Sequence, residues 1–134
     1  MTAVVDSSAL VAFLIDQGPD GTWARGALSD GPVLGPELLL AESSNIICRI
    51  ERIGEVAESA AFAAHRDLVE HDIELHPFSP FADRIWQLRH NLTAYDAWYV
   101  ALAESTNCPL VTLDLRLSRS NGPTCEFMTP ANLS

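Results

Sequence analysis

Four acidic side chains are placed where they can do chemistry: Asp6, Glu42, Asp96 and Asp114. Asp6 closes Ala3-Val-Val-Asp6 and precedes Ser7-Ser8. A carboxylate there is either a metal ligand projecting from a strand end or a helix N-cap, a position Asp favours. Glu42 lies in Leu38-Leu-Leu-Ala-Glu42-Ser-Ser-Asn45-Ile-Ile47. Leu39, Ile46, Ile50 and Ile53 form an apolar stripe there, and Glu42, Asn45 and Arg49 form its neighbour at helical spacing. An acid so close to apolar residues is costly to bury unpaired. Its partner is either a helix neighbour such as Arg49 or a cation. Asp96 follows Thr93 by three residues, the spacing of a capping box, and a carboxylate in a first helical turn suits the helix dipole. It also lies beside the packed face of Ala94, Ala97, Trp98, Ala101 and Leu102, so it can cap and also coordinate. Asp114 closes Leu110-Val-Thr-Leu-Asp114 and enters a turn with Arg116 and Arg119, either as a turn acid or as a ligand. Each acid alone has an ordinary explanation. Together they can converge on a hard cation, since magnesium takes oxygen ligands and keeps several waters. Without a cation, like charges in one site repel and raise one another's pKa.

The elements that must position these acids follow from hydrophobic periodicity. Ala3 to Asp6 reads as a short strand. Ser8 caps a helix carrying Leu10, Val11, Leu14 and Ile15. Asp20 to Leu28 is a second helix. Val33-Leu34 is a strand stopped by Gly35-Pro36, and Pro36 opens a long helix to about Ile53, stopped by Gly54. Glu55 to His71 is an Ala-rich helix, Ile73 to Phe78 a strand limited by Pro77, and Pro80 to His90 a helix. Thr93 to Asn107 is another helix. Leu110 to Leu113 and Cys125 to Met128 are the last strands. Strands separated by helices imply parallel crossovers, hence an α/β fold, a three-layer α/β/α sandwich around a mostly parallel sheet. Ligands of such sheets sit beyond the carboxyl ends of the strands, which is where Asp6 and Asp114 fall.

Composition narrows the chemistry. The chain has 134 residues, 48% of them hydrophobic, which suits a single domain over 1–134 with a full core. The net charge is −10 and all 8 basic residues are Arg. The absence of Lys excludes a phosphate-loop Lys, a Schiff-base Lys and the catalytic Lys of receiver or haloacid-dehalogenase domains. No Asp-x-Asp follows the first strand either, so an acid-cluster phosphatase is disfavoured. An acidic chain binds nucleic acid poorly, and divalent cations with a few clustered Arg must overcome that field. Arg116 and Arg119 are the candidates for phosphate contacts. No run approaches the length of a membrane span, and the N-terminus does not read as a signal peptide. Cys48, Cys108 and Cys125 read as reduced, mostly buried thiols of a cytoplasmic protein. His65, His71, His76 and His90 read as surface residues, and Trp86, Trp98 and Tyr99 as packing residues.

Val4-Val5-Asp6-Ser-Ser8, Glu42 with Asn45, Thr93-x-Tyr-Asp96-Ala-x-Tyr-Val-Ala-Leu-Ala-Glu104 and Leu110-Val-Thr-Leu-Asp114 together resemble PIN domains, and among them the VapC toxins of type II toxin–antitoxin modules. The resemblance covers essentially the whole chain, and the segment around Asp96 is its most specific part. It implies a magnesium- or manganese-dependent endoribonuclease, a homodimer, and neutralisation by a small antitoxin protein. By the match Asp6, Glu42, Asp96 and Asp114 are the acidic quartet that binds metal. Ser8 corresponds to the small hydroxyl residue near the first acid, and Asn45 and Thr112 are frequent neighbours of the site. The match departs at Leu115-Arg116, where some members carry a further acid. The implied reaction is metal-assisted phosphodiester hydrolysis without a covalent nucleophile. The alternative is a non-enzymatic RNA- or protein-binding module on the same fold.

Overall fold

The computed structural model describes residues 1–130; the last residues of the expected domain, 131–134, lie outside them. Five strands form one sheet: β1 (Ala3–Val5), β2 (Val33–Pro36), β3 (Ile73–His76), β4 (Leu110–Val111) and β5 (Phe127–Met128). Their order is β3-β2-β1-β4-β5, and every pairing between neighbours is parallel. The helices are α1 (Ser7–Ile15), α2 (Pro19–Ala27), α3 (Leu38–Arg52), α4 (Glu58–Glu70), α5 (Ala82–Gln87), α6 (Ala94–Thr106) and α7 (Leu115–Ser118).

Strand order and handedness together fix where a site can form. The chain steps outward from β1 to β2 to β3, then returns to β4 on the other side of β1. Right-handed crossovers place the helices of the outward steps on one face and those of the return on the other. Accordingly α1 packs on α2, α3 and α4, while α6 packs on α5 and across β1, β2 and β4. The direction of winding reverses between β1 and β4, which opens a crevice at their carboxyl ends. Val4, Val5, Leu110 and Val111 are wholly buried, as expected of central strands covered on both faces. Leu10, Leu39, Val100 and Leu102 complete the core from the helices.

Several boundaries differ from the sequence reading, each for a local reason. Helix α1 begins at Ser7 and is capped by the Asp6 side chain, which accepts from the Ala9 amide at 3.0 Å, not by Ser8. Pro36 belongs to β2, paired opposite His76, and does not open α3. Helix α3 folds back so tightly that a Cβ at Gly35 would stand 2.4 Å from Leu39 Cδ2, so a side chain there would force the buried Leu39 to move. Helix α4 starts at Glu58 because the Glu55 amide is spent on Ile50 O in the preceding turn. Strand β3 stops before Pro77. Pro80 lies in a 3-10 turn, Ser79–Phe81, so α5 is only six residues long. Strand β4 ends at Val111 because the Leu113 amide donates to Ser8 Oγ at 3.1 Å, diverting the chain into α7, a helix absent from the sequence reading. The thiols are less buried than composition suggested: all three are free, Cys48 exposed, Cys108 and Cys125 half-buried. Trp86 does not pack in the core. It is 66% exposed, with the Arg89 guanidinium 4.3 Å above its ring. Among the described residues no helix is long and apolar enough to cross a membrane.

Candidate active site

The crevice at the switch point is built around Asp6. β1 delivers it to the end of the sheet, buried with 7% of its surface exposed. Its Oδ1 accepts from Ser8 Oγ at 2.6 Å and from the Ala9 amide; its Oδ2 accepts from Thr112 Oγ1. Each hydroxyl does two jobs. Ser8 Oγ also accepts from the Leu113 amide, and Thr112 Oγ1 accepts from the Asp114 amide at 2.9 Å. Asp6 therefore fixes the loop after β4 through two hydroxyl bridges, and that loop carries Asp114. Asp114 caps α7 through its side chain, accepting from the Leu117 amide at 3.1 Å.

Asp96 comes from the opposite side. Thr93 Oγ1 accepts from the Asp96 backbone amide at 3.2 Å, so the cap uses the backbone of Asp96 and leaves its carboxylate to face Asp114. Arg116 stands over both acids, 4.0 Å from Asp96 and 3.8 Å from Asp114, on a side chain that is 83% exposed. Glu42 reaches the group from α3. Its Oε1 accepts from Tyr99 Oη at 2.5 Å, so the proposed Arg49 partner is replaced by a tyrosine from a different helix. Tyr99 is buried on α6, one turn beyond Asp96, and its neighbour Trp98 packs edge-on against Phe78. The sequence reading treated Tyr99 as packing alone; its hydroxyl is the partner Glu42 needed. An unpaired acid on α3 and a Tyr one turn after Asp96 were the available signals.

Electrostatics tie the four acids together. Burial pushes the Asp6 carboxyl up, and the Asp114 charge adds to that against the bonds from Ser8, Thr112 and Ala9. Burial raises Glu42, with Asp96 contributing, although the Tyr99 bond opposes it. Burial raises Asp96, helped by Asp114 and opposed by Arg116. Burial and then the Glu42 bond hold the Tyr99 phenol far above its ordinary value, so it remains a donor. The structure thus brings Asp6, Glu42, Asp96 and Asp114 to one crevice with Ser8, Thr112 and Arg116. Asn45 stands exposed one turn beyond Glu42, outside this network. Arg119 lines the adjoining pocket with Asp96 and Arg116. The histidines lie elsewhere, with His65 bonded to Ser44 and His76 to Glu74.

The donor set suits a hard divalent cation: all oxygen, largely carboxylate, and mutually repelling without one. Among the described residues no three His, Cys, Asp or Glu side chains converge on a single point. Magnesium does not require that. It is held through one or two carboxylates and keeps several waters, so a spread quartet fits it.

Comparison with known proteins places this geometry. The PIN domain family model matches residues 3–122. Ribonuclease VapC1 of Mycobacterium tuberculosis is 40% identical over 125 residues, covering 92% of this chain and 94% of its own. A solved structure from Pyrobaculum aerophilum, PAE2754, superposes with a TM-score of 0.73 at 22% identity, covering 99% of this chain and 87% of that one. VapBC2 from Rickettsia felis, solved bound to a DNA fragment from its promoter, gives 0.62 at 15% identity, covering 96% and 98%.

Proposed function

The chain belongs to the PIN-domain family, and with the VapC ribonucleases as its relatives it is a toxin-type endoribonuclease; on that premise we propose how its residues carry the reaction. Asp6, Glu42, Asp96 and Asp114 hold magnesium or manganese. A divalent cation bound there supplies Lewis acidity to a phosphate oxygen and lowers the pKa of a water. The side chains supply the rest. Asp6, locked by Ser8 and Thr112, sets the position of the loop that carries Asp114. Tyr99 orients Glu42. Arg116, paired only at the surface with Asp96 and Asp114, turns to the scissile phosphate when RNA enters, exchanging weak exposed ion pairs for a bidentate contact. No side chain acts as a covalent nucleophile. Ser8 Oγ already donates to a carboxylate and accepts from a backbone amide, so no lone base activates it.

The observation that carries this reading is the gathering of four acids at the β1/β4 switch point: Thr112 bridges Asp6 to the Asp114 backbone, Arg116 pairs with both Asp96 and Asp114, and Glu42 is held by Tyr99 one turn beyond Asp96. The test is cleavage of RNA by the purified chain in EDTA, then with magnesium or manganese restored. Cleavage only with metal supports the nuclease, and binding without cleavage under every metal condition leaves the non-enzymatic module instead.

The partners follow from the same relatives. A cognate small antitoxin protein is the expected inhibitor, since VapBC2 is a toxin–antitoxin assembly on the same fold. We place the 134 residues in one domain, working in the cytoplasm as a symmetric homodimer. Sedimentation at micromolar concentration gives twice the 14.6 kDa chain mass if the dimer forms.

A further inference from the structure

A second cavity opens beside the acids. It has a volume of about 510 Å³, within the usual range for small-ligand pockets, and it shares Asp96 and Arg116 with the candidate active site. Its other walls are Asn91 and Leu92 before α6, Leu117 on α7, and Arg119 and Asn121 beyond it. We propose that this pocket is a nucleotide subsite, holding one unstacked base of single-stranded RNA next to the phosphate that is cut. The proposal rests on the nuclease reading above and adds to it the place where sequence is read.

The lining has the chemistry a base requires. Two exposed primary amides, Asn91 and Asn121, each offer a donor and an acceptor, which matches the polar edge of a base. Half-buried Leu92 provides apolar surface for its flat face, over a floor made by the buried Leu117. Arg116 and Arg119 supply guanidinium planes, which stack on bases and pair with phosphates. Two of the 8 basic residues of a chain with net charge −10 thus border one pocket, so an anionic strand is tolerated here despite the overall field. The larger groove on the other side of Ser8 is different. Val11, Ile15, Ile50 and Val56 line it together with the acids Asp16 and Glu55, and among the described residues no Arg borders it.

The loop that continues from Asn121, beyond the pocket lining, is held in place. Arg84 donates to Glu104 at 2.7 and 3.0 Å and to Gly122 O at 3.0 Å. Glu104 also accepts from the Thr124 amide at 2.7 Å. Gly122 has φ +110, and a Cβ there would meet Leu88 Cδ2 at 3.1 Å and Asn91 Nδ2 at 3.4 Å. The loop therefore runs close to the Asn91 side chain, and the φ of Gly122 favours glycine there. A preformed loop lowers the ordering cost of binding.

The experiment compares the full chain with the double variant Asn91→Ala, Asn121→Ala; both residues lie outside the acidic quartet. Fluorescence anisotropy with a labelled, sequence-randomised single-stranded RNA in calcium chloride reads affinity. Sequencing of a randomised RNA pool after cleavage in magnesium reads the preference at positions flanking the cut. The expected result is binding weakened about tenfold, from two lost hydrogen bonds, with one flanking preference flattened and kcat within about twofold. The magnesium-induced rise in melting temperature stays at the wild-type value. Unchanged affinity with an unchanged preference overturns the subsite while leaving the nuclease standing. A wild type that binds but never cuts, with binding weakened in the double variant, overturns the nuclease and retains the base pocket. No RNA binding by the wild type overturns both.

Discussion

The hydroxyl of Tyr99 donates to Glu42 Oε1 at 2.5 Å, joining α6 to α3 across 57 residues of sequence. Tyr99 is wholly buried, so the bond forms where the phenol has no water to turn to. The contact fixes the rotamer of an acid that otherwise sits half-buried at the edge of a like-charged group. Replacing Tyr99 by Phe keeps the packing and removes the donor. A hydrogen bond to a charged group is worth roughly 1.5–3 kcal/mol, so the variant melts several degrees lower. Its magnesium midpoint, read from melting titrations, shifts to higher concentration and its cleavage rate falls about tenfold. A wild-type midpoint and rate would make Tyr99 a packing residue only.

Asp96 is the cleanest acid to neutralise. The Thr93 cap uses its backbone amide, which Asn retains, and its carboxylate caps nothing. Asp96→Asn therefore leaves the circular dichroism spectrum unchanged and reduces RNA cleavage to background. Asp6 is a poorer probe. Its two oxygens serve Ser8, Thr112 and the Ala9 amide, and an amide nitrogen in place of one of them meets a hydroxyl donor.

The acids also set how metal-free stability responds to pH. Burial, with like-charged neighbours, raises Asp6 and Asp96 above 3.8 and Glu42 above 4.5 in the folded chain. A carboxyl whose folded pKa exceeds its unfolded one binds more protons folded, so its contribution falls as pH rises between the two values. In EDTA, lowering the pH from those raised values towards about 4 raises the melting contribution of these groups. In EDTA, Asp96→Asn shows a shallower dependence in thermal melts. Equal slopes for the two proteins in EDTA would contradict the coupling.

Glu104 carries the opposite sign. Burial works against its charge, yet the bonds from Arg84 and Thr124 hold its carboxyl below 4.5. A depressed carboxyl contributes stability above its unfolded value, and that stability is lost as pH falls through the folded one. Glu104→Gln should cost about 2 kcal/mol at neutral pH, and the deficit should narrow below about pH 4. A deficit independent of pH would mean that packing, not charge, holds the loop.

Much of this was legible in the chain because it rests on local rules. Thr93 capping α6, the buried runs of β1 and β4, and the placing of Asp6 and Asp114 at carboxyl ends of parallel strands follow from residue type and spacing. What escaped were pairings made across distance. Thr112 and Ser8 each spend a donor on Asp6 and a lone pair on the loop after β4, and no spacing in the sequence announces that. The hydrogen-bond partner of Glu42 sits on another helix, so α3 spacing could offer only Arg49 or a cation, and not Tyr99. Helix α7 has only four residues, too short for periodicity to register, and Trp86 is exposed because its packing is a surface contact with Arg89.

If the spread quartet serves one divalent cation, through one or two carboxylates directly and the rest through its waters, a magnesium titration of thermal stability tests it without a substrate. A cation that binds only the folded chain at ~100 times its dissociation constant adds roughly 2.7 kcal/mol. For a domain of this size that raises the melting temperature by about 10 °C. The account predicts a saturable rise of that order with magnesium or manganese, little of it with sodium at equal ionic strength, and a much smaller rise for Asp96→Asn. Parallel behaviour of wild type and Asp96→Asn in EDTA, sodium and magnesium would contradict it.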